Sequence, residues 1–276
     1  MRVPLTDPPP GRTDTAAPAD RARSGRAIIS ARGLAVGYGR EPVLTGVGFD
    51  LDRGVTVGVL GPNGGGKTTL FRALLGKLEP LEGSLSVDGS CATVPQSDNA
   101  RLDYPVTALD VAQMGSLFGL PWWRRPGRKQ RRVALAALEA VGMADLADES
   151  FGELSGGQRQ RVLIARALAA EAEIILLVEP YSGLDTASSD RLDRLIVELA
   201  GSGRSVMVAT HDVDQTMGWD RVLCLNHEQV AWGRPNEVLD REVLERTYGG
   251  QIVEIPGHPG EGVLPPHHHH HEDSGD

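Results

Sequence analysis

Short aliphatic runs alternate along this chain with segments in which apolar residues recur at helical spacing. Runs dominated by Val, Ile and Leu predict strands buried on both faces, at Val55–Leu60, Glu173–Pro180 and Ser205–Thr210. Shorter strand patterns occur at 27–30, 34–36, 43–51, 84–89 and 91–96. Helical spacing occurs at 68–75, 106–118, 132–143 and 159–169. The alternation predicts an α/β domain, with a helical lobe between about 98 and 165 inserted into its core.

The two ends of the chain lack this periodicity. Residues 1–26 are rich in Pro, Ala, Asp and Arg and are predicted to be a disordered extension, so that the folded domain spans 27–252. A flexible tail is expected over 253–276, and its five consecutive histidines are His267, His268, His269, His270 and His271. Imidazoles beside carboxylates bind Zn²⁺, Ni²⁺ or Mn²⁺ loosely. The tail is therefore interpreted as a natural metal-binding or metal-sensing segment, with a purification tag as the alternative.

A basic segment, Arg124–Arg132, separates two of the predicted lobe helices and contains a Pro-Gly break. It is either a nucleic-acid patch or a solvated loop that faces lipid headgroups. The net charge of the 276-residue chain is −9, which disfavours nucleic acid as a main partner. We therefore expect a solvated loop at 124–132 and no nucleic-acid partner.

The sequence also bears on the cellular location of the protein. The sequence has no apolar run long enough to cross a bilayer and no signal peptide, so a soluble, cytoplasmic protein that docks on a membrane protein is expected. Its two cysteines, Cys91 and Cys224, lie in apolar, strand-like segments. Buried free thiols are expected there, in preference to a disulfide or a metal pair.

The segment that follows Leu60 fits the phosphate-loop pattern G-x-x-x-x-G-K-[ST]. Its residues are Gly61, Pro62, Asn63, Gly64, Gly65, Gly66, Lys67, Thr68 and Thr69. Glycines let backbone N–H groups surround a phosphate, and the following helix N-terminus adds positive charge. Lys67 is expected to reach the β- and γ-phosphates, and the Thr68 hydroxyl to bind Mg²⁺. An ordinary glycine-rich turn does not explain the strand, the helix and the Lys-Thr pair together, so a nucleoside triphosphate site is predicted.

A second candidate anion site, Leu154–Gln158, precedes the helix predicted at 159–169. Ser155 is a favoured helix N-cap, and Gly156 and Gly157 leave backbone N–H groups open at the positive end of the helix. This site lies on a different lobe from the phosphate loop. We therefore predict a head-to-tail dimer in which each subunit completes the nucleotide site of the other.

Polar residues stand at the ends of three predicted strands. They are Gln96, Glu179 and His211. Ligands of open α/β sheets bind at the carboxyl ends of the strands, so these side chains are expected to converge on the phosphate loop. Upstream of that loop, Tyr38 lies between two glycines in a predicted turn, where its ring could stack on a base.

In order and spacing, these segments resemble the nucleotide-binding domain of ABC ATPases over residues 27–250. The resemblance implies a phosphate-loop core with a mostly parallel sheet, an antiparallel β subdomain and an inserted helical subdomain. It implies ATP and Mg²⁺ as cofactors. By the same resemblance Tyr38 stacks on adenine, and Gln96 senses Mg²⁺ and couples to the membrane partner.

The resemblance also assigns roles to the remaining site residues. Glu179 is implied as the general base, His211 as the switch histidine on the γ-phosphate, and Asp185 as part of the D-loop. Ser155, Gly156 and Gly157 of the signature would contact the γ-phosphate across the dimer, and Gln158 is implied as a further nucleotide-binding residue.

One position departs from the family pattern. The family strand ends with Asp-Glu-Pro, whereas this chain has Val178-Glu179-Pro180. Valine neither accepts a hydrogen bond nor opposes a cation, and losing a charged hydrogen-bond partner typically costs about 1.5–3 kcal/mol. Either hydrolysis is weakened without a change of fold, or the subunit is a nucleotide-dependent switch that hydrolyses poorly.

Within the family, Asp103–Gly115, the Trp-Trp-Arg-Arg-Pro loop and the ending Tyr248-Gly249-Gly250 are similar to the zinc, manganese and iron importer branch. That branch implies a homodimer or a pair with a related ATPase subunit, integral membrane permease subunits, and an indirect link to a substrate-binding protein. It places the protein on the inner face of the cell membrane. A non-transport ABC ATPase is the remaining alternative, although the long coiled-coil insertion or second domain usual there is missing from the sequence.

Overall fold

The computed structural model describes residues 27–94, 105–117, 123, 126–182, 184–249, 253–254 and 262–263. The strands are β1 Ile29–Tyr38, β2 Glu41–Leu51, β3 Thr56–Leu60, β4 Glu82–Val87, β5 Cys91–Val94, β6 Ile174–Val178, β7 Ser205–Thr210, β8 Arg221–Leu225, β9 Gln229–Gly233, β10 Val253–Glu254 and β11 Gly262–Val263. The helices are α1 Lys67–Leu74, α2 Ala108–Gly115, α3 Arg128–Ala140, α4 Gly156–Ala169, α5 Thr186–Gly201, α6 Val213–Thr216, α7 Pro235–Val238 and α8 Arg241–Tyr248. The predicted α/β class is confirmed.

The central sheet has six strands in the order β5-β6-β7-β3-β8-β9. All neighbours pair in parallel except β8 and β9, which are antiparallel. Ala209 is opposite both Val59 and Val178, so strands β3, β6 and β7 end side by side. The phosphate loop, Glu179 and His211 therefore all follow the carboxyl ends of these strands, which together form one edge of the sheet.

A smaller antiparallel sheet, in the order β2-β1-β4, forms the second layer. Strand β1 is continuous over ten residues, where the sequence pattern predicts two short strands. The pattern is broken because the pairing register of β1 shifts between Ala31 and Leu34, next to Gly33 in the left-handed conformation (φ 53°). The bulge leaves the apolar alternation on either side intact but out of phase.

The two faces of the central sheet belong to different hydrophobic cores. On β6, Ile175 and Leu177 pack with helices α2–α5, whereas Ile174 and Leu176 pack with α1 and the antiparallel sheet. Because side chains alternate across a strand, a run that is apolar at every position serves both cores. The phosphate loop and the signature helix thus lie over different cores of the same domain.

Helices α2, α3 and α4 pack against one another and form the helical lobe. The expectation of a solvated loop over 124–132 is wrong in part, because α3 begins at Arg128. The Gly127 N–H donates to the Gln130 side chain at 3.0 Å, and Ala134, Ala137 and Leu138 anchor the far half of the helix. The basic first turn is exposed, as expected, but it is helical. Arg124 and Arg125 lie outside the described residues.

Toward the C-terminus, β10 and β11 form a two-stranded antiparallel pair within the segment predicted as a flexible tail. The predicted extension 1–26 and the histidines 267–271 lie outside the described residues. Among the residues that the structure describes, no helix is both long and apolar enough to span a bilayer. Both cysteines are free thiols, as expected, with Cys224 buried and Cys91 half-buried.

Candidate nucleotide-binding and catalytic site

The phosphate loop connects β3 to α1 and has a backbone that requires glycine. Gly66 is the N-cap of α1 and adopts a left-handed conformation (φ 100°), with no side chain satisfying the first N–H groups of the helix. A Cβ atom on Gly61 would lie 2.2 Å from the carbonyl oxygen of Leu225. The loop therefore presents bare backbone donors at a helix N-terminus, which is the environment that binds phosphate.

Lys67 is the first residue of α1 and is nearly buried, with 8% of its surface exposed. Its Nζ donates to the carbonyl oxygens of Gly61 at 2.5 Å and Pro62 at 3.1 Å. Burial lowers the pKa of Lys67, and the nearby carboxylate of Glu179 opposes that shift. The ammonium is thus held within the loop and close to the carboxylate at the end of β6.

Glu179 and His211 meet where β6 and β7 end. The Glu179 Oε2 atom lies 3.0 Å from His211 Nδ1, a distance at which a protonated Nδ1 donates to the carboxylate. The Glu179 side chain is 18% exposed and that of His211 is 58% exposed. The Glu179 N–H donates to the Ala209 carbonyl at 2.9 Å, which extends the β6–β7 pairing by one residue. Glu179 and His211 therefore lie together at the edge of the sheet from which the phosphate loop leaves, as predicted. Gln96, the third residue of that prediction, lies outside the described residues.

The backbone of Glu179 is left-handed, with φ 45°. A non-glycine residue in this conformation carries roughly 1–3 kcal/mol of strain, and such residues concentrate at functional sites. The turn ends the extended run of β6, and the carboxylate it carries faces the end of β7. Sequence reasoning does not find this geometry, because no local residue pattern marks it.

Val178 is half-buried and packs against the core that contains α1. Two other carboxylates near β6 have partners of their own: Glu173 forms an ion pair with Arg53, and Asp185 accepts from the Ser188 N–H at 2.7 Å as the N-cap of α5. Hydrogen bonding by the Ser188 side chain, together with that N–H, lowers the pKa of Asp185. Neither residue supplies the carboxylate that position 178 lacks.

A magnesium ion in a nucleotide site takes oxygen ligands from phosphates, water and one or two side chains. Thr68 is exposed in the first turn of α1, and Glu179 follows Val178 directly. Among the described residues no group of three or more His, Cys, Asp and Glu side chains could hold a metal ion. The donor set fits an ion that arrives with its nucleotide, with position 178 adding no ligand.

The signature segment is ordered by a reciprocal cap. The Gln158 N–H donates to Ser155 Oγ at 3.3 Å, and the Ser155 N–H donates to Gln158 Oε1 at 2.8 Å. Helix α4 therefore begins at Gly156, three residues before the predicted start, because the capping box outweighs the poor helix propensity of two glycines. Ser155 and Gly156 are exposed, so the N-terminus of α4 faces solvent.

Tyr38 is the last residue of β1, so the turn predicted over Gly37–Gly39 begins two residues later, at Gly39. Its hydroxyl accepts from Arg72 Nη1 at 2.7 Å, and the Arg72 guanidinium carbon lies 5.6 Å from the ring centroid. The ring is 46% exposed. Stacking on adenine stays a prediction, and Arg72 is a contact that sequence reasoning missed.

Two further tyrosines near the site were also missed, the buried Tyr248 and the half-buried Tyr181. The Tyr248 hydroxyl donates to the His211 carbonyl at 3.3 Å, and the Tyr181 hydroxyl donates to Asp193 Oδ1 at 2.5 Å. Tyr248 appears in the sequence analysis only as part of the importer-like ending. A polar tip on a residue predicted to be buried is the signal that could have drawn attention to both.

Comparison with known proteins places this site in a family. Residues 44–182 match the ABC transporter family. The zinc transport system ATP-binding protein TroB of Treponema pallidum (strain Nichols) is 38% identical over 229 residues, which cover 79% of this chain and 86% of that protein. The manganese transport system ATP-binding protein MntB of Halalkalibacterium halodurans is 37% identical over 234 residues, covering 82% and 93%.

Among solved structures, an inward-facing metal-chelate type ABC transporter is similar with a TM-score of 0.74 and 34% identity, over 80% of this chain and 89% of that one. These matches extend well beyond the phosphate loop and include both lobes of the domain. The chain belongs to the ABC transporter family, as one of its ATP-binding subunits.

Proposed function

We propose that this chain hydrolyses ATP to power the import of a divalent metal ion (Zn, Mn or Fe) or a metal chelate. The observation that supports ATP hydrolysis most directly is the Glu179–His211 pair, whose Oε2 and Nδ1 atoms lie 3.0 Å apart at the sheet edge from which the phosphate loop leaves. The relatives named for zinc and manganese transport, which align over most of the chain, support the choice of cargo.

In this proposal the groups at this edge divide the chemistry of hydrolysis among them. Glu179 accepts a proton from the attacking water and orients it, and His211 stabilises charge on the γ-phosphate. Lys67 exchanges its loop carbonyls for the phosphate oxygens of ATP. Thr68 and the phosphates would hold Mg²⁺, which would supply positive charge against the phosphate oxygens.

We propose further that two copies, or one copy and a related subunit, close head to tail around ATP. Helix α4 packs with α2 and α3, whereas α1 packs with β1 and β2, so the two anion-binding N-termini belong to different layers. The N-terminus of α4 is capped and exposed, which suits it to meet a phosphate held by another copy. The dimer would sit on the cytoplasmic face of integral membrane permease subunits, with a substrate-binding protein as an indirect partner.

Val178 motivates the second candidate function, a nucleotide-dependent switch with impaired hydrolysis. A hydrocarbon side chain at the end of β6 gives Mg²⁺ no ligand, so ATP could bind and close the dimer with little turnover. Such a subunit would need an active partner for transport. The two candidate functions predict different rates of ATP hydrolysis but the same fold and the same nucleotide site.

Steady-state hydrolysis at saturating Mg²⁺, compared between the native chain and Val178→Asp, separates the two. We expect Val178→Asp to raise the rate by about ten-fold or more, the worth of a restored charged hydrogen-bond partner, with little change in ATP binding. Equal rates would contradict this account of position 178. The absence of any turnover in both proteins would contradict hydrolysis altogether.

The histidine tail is proposed to bind the cargo metal weakly and to act apart from ATP chemistry. Truncation after residue 252 is expected to remove loosely bound Zn²⁺, measured by equilibrium dialysis, and to change the hydrolysis rate less than two-fold. His267–His271→Ala in the full chain is the matched control for loss of length. Equal Zn²⁺ binding by native and truncated chains would refute a metal-binding tail.

A further inference from the structure

The last turn of α8 contacts the catalytic edge through one hydroxyl group. Tyr248 is the final residue of this helix and is 4% exposed. Its hydroxyl donates to the backbone carbonyl of His211 at 3.3 Å. The imidazole of the same histidine faces Glu179 at 3.0 Å. One hydrogen bond therefore links the C-terminal helix to the backbone that carries the switch histidine.

The same hydroxyl lies close to the start of the phosphate loop. Burial raises the pKa of Tyr248, the nearby Cys224 adds to the shift, and the neighbouring backbone of Gly61 opposes it. The Tyr248 side chain is therefore hydrogen-bonded to the carbonyl of His211 and lies near the backbone of Gly61.

The helix that carries Tyr248 is itself held in place. Asp240 caps its start by accepting from the Val243 N–H at 2.8 Å, and Gly249 ends it in the left-handed conformation. Near its end, Asn226 at the exit of β8 donates to the Arg246 carbonyl at 3.2 Å. Tyr248 thus projects from an element fixed at both ends, which is what a positioning group requires.

We propose that Tyr248 is a positioning residue, whose hydroxyl sets the placement of the His211 backbone relative to the phosphate loop. The inference rests on the proposed hydrolysis, since that is the reaction in which His211 faces the γ-phosphate. Glu179 and His211 leave adjacent parallel strands, whereas Gly61 leaves the strand on the far side of β7. The sheet aligns these strand ends, and the Tyr248 hydroxyl holds the backbone beyond β7 at a point close to the start of the phosphate loop.

Tyr248→Phe tests the hydroxyl and keeps the buried ring. The matched control is Thr247→Val, which removes the neighbouring buried hydroxyl that donates to the Val243 carbonyl at 2.7 Å within the same helix. Both full-length variants are compared with the native chain in thermal unfolding, which confirms that each folds. Amide hydrogen exchange over 205–213 then reports how firmly the His211 segment is held, with no requirement for turnover.

Steady-state kinetics in the native and Val178→Asp backgrounds provide the second arm. Tyr248→Phe is expected to speed exchange over 205–213 and to lower kcat about ten-fold, the rate equivalent of one lost hydrogen bond, with the KM for ATP within two-fold. Thr247→Val is expected to leave exchange in that segment and kcat near the native values.

The outcomes separate the two proposals. Unchanged exchange in Tyr248→Phe overturns the positioning role, as does faster exchange with a kcat equal to that of Thr247→Val. A rise in KM at constant kcat also overturns it, because that pattern indicates a loss of nucleotide binding. If no chain hydrolyses ATP, even with Asp at position 178, the proposed function fails, and the exchange arm alone decides whether Tyr248 holds His211.

Discussion

The edge of the central sheet and the N-terminus of helix α4 both present anion-binding chemistry, but they are built differently. At α4, Ser155 and Gln158 cap each other across three residues, so four consecutive positions specify the site. At the sheet edge, Gly61, Glu179 and His211 are far apart in sequence and meet only because β3, β7 and β6 are adjacent. A local site survives any change that spares its own turn. An assembled site depends on the register of three strands.

The largest effect is expected at the assembled site. Glu179→Gln keeps the size of the side chain but removes its basicity, so hydrolysis should fall by about 10²–10⁴-fold, the usual worth of a general base. ATP binding should persist, because Lys67 and the glycine loop are untouched. Phosphate release in a single turnover and equilibrium nucleotide binding measure the two effects separately.

Glu179→Asp is the control that keeps the negative charge but shortens the side chain. It should recover only part of the rate, because the shortened carboxylate no longer approaches His211 Nδ1 as closely as 3.0 Å. Full activity in Glu179→Gln would show that another group accepts the proton and would leave the strained turn at position 179 without a catalytic explanation.

The contrast also explains which parts of the site were predictable. Ser155 was correctly predicted as a cap, because its evidence lies within four residues. The strand at 205–210 was predicted with its bounds, since an unbroken apolar run is its own signal. The β6 strand was predicted three residues too long, two of them at its C-terminal end, because propensity does not show that the Glu179 backbone turns left-handed.

Contacts between distant segments were the part that sequence could not supply. The hydroxyls of Tyr248 and Tyr181 bond to groups on other elements, at His211 and Asp193. A buried tyrosine usually has a partner, but its identity depends on how the elements pack. The start of α3 at Arg128 was missed for a related reason: a basic, exposed first turn looks like a loop until the buried alanines beyond it are counted.

At the local site, Gly156→Asp should separate folding from function. A Cβ at Gly156 meets no atom within 4 Å, and a carboxylate in the first turn of α4 is stabilised by the helix dipole by about 0.3–1 kcal/mol. The free energy of unfolding should therefore stay the same or rise slightly. ATP-induced dimerisation should be lost, because the new charge repels the phosphate that a partner subunit would present.

Analytical ultracentrifugation with ATP, on a Glu179→Gln background that prevents turnover, measures this effect. Ser155→Ala is the complementary change. It removes the Oγ that accepts from the Gln158 N–H, and should lower the free energy of unfolding by about 1 kcal/mol. A Gly156→Asp protein that still dimerises with ATP would place the dimer contact elsewhere and would break the head-to-tail proposal.

The smallest effect is a pH dependence at the assembled site that the local site lacks. Burial lowers the pKa of Lys67 below its ordinary value of 10.5, so between the folded and unfolded pKa values the unfolded chain holds more protons. The free energy of unfolding contributed by Lys67 must therefore rise as the pH rises through that window, by at most about 1.4 kcal/mol per pH unit.

Lys67→Met removes the titrating group, so the difference in unfolding free energy between native chain and variant should shift in favour of the native chain as the pH approaches 10.5. Urea unfolding of both proteins at matched pH values measures that difference, and all other titrating groups cancel in it. Parallel curves would mean that the ammonium is as well solvated in the folded loop as in the unfolded chain, despite its bonds to Gly61 and Pro62.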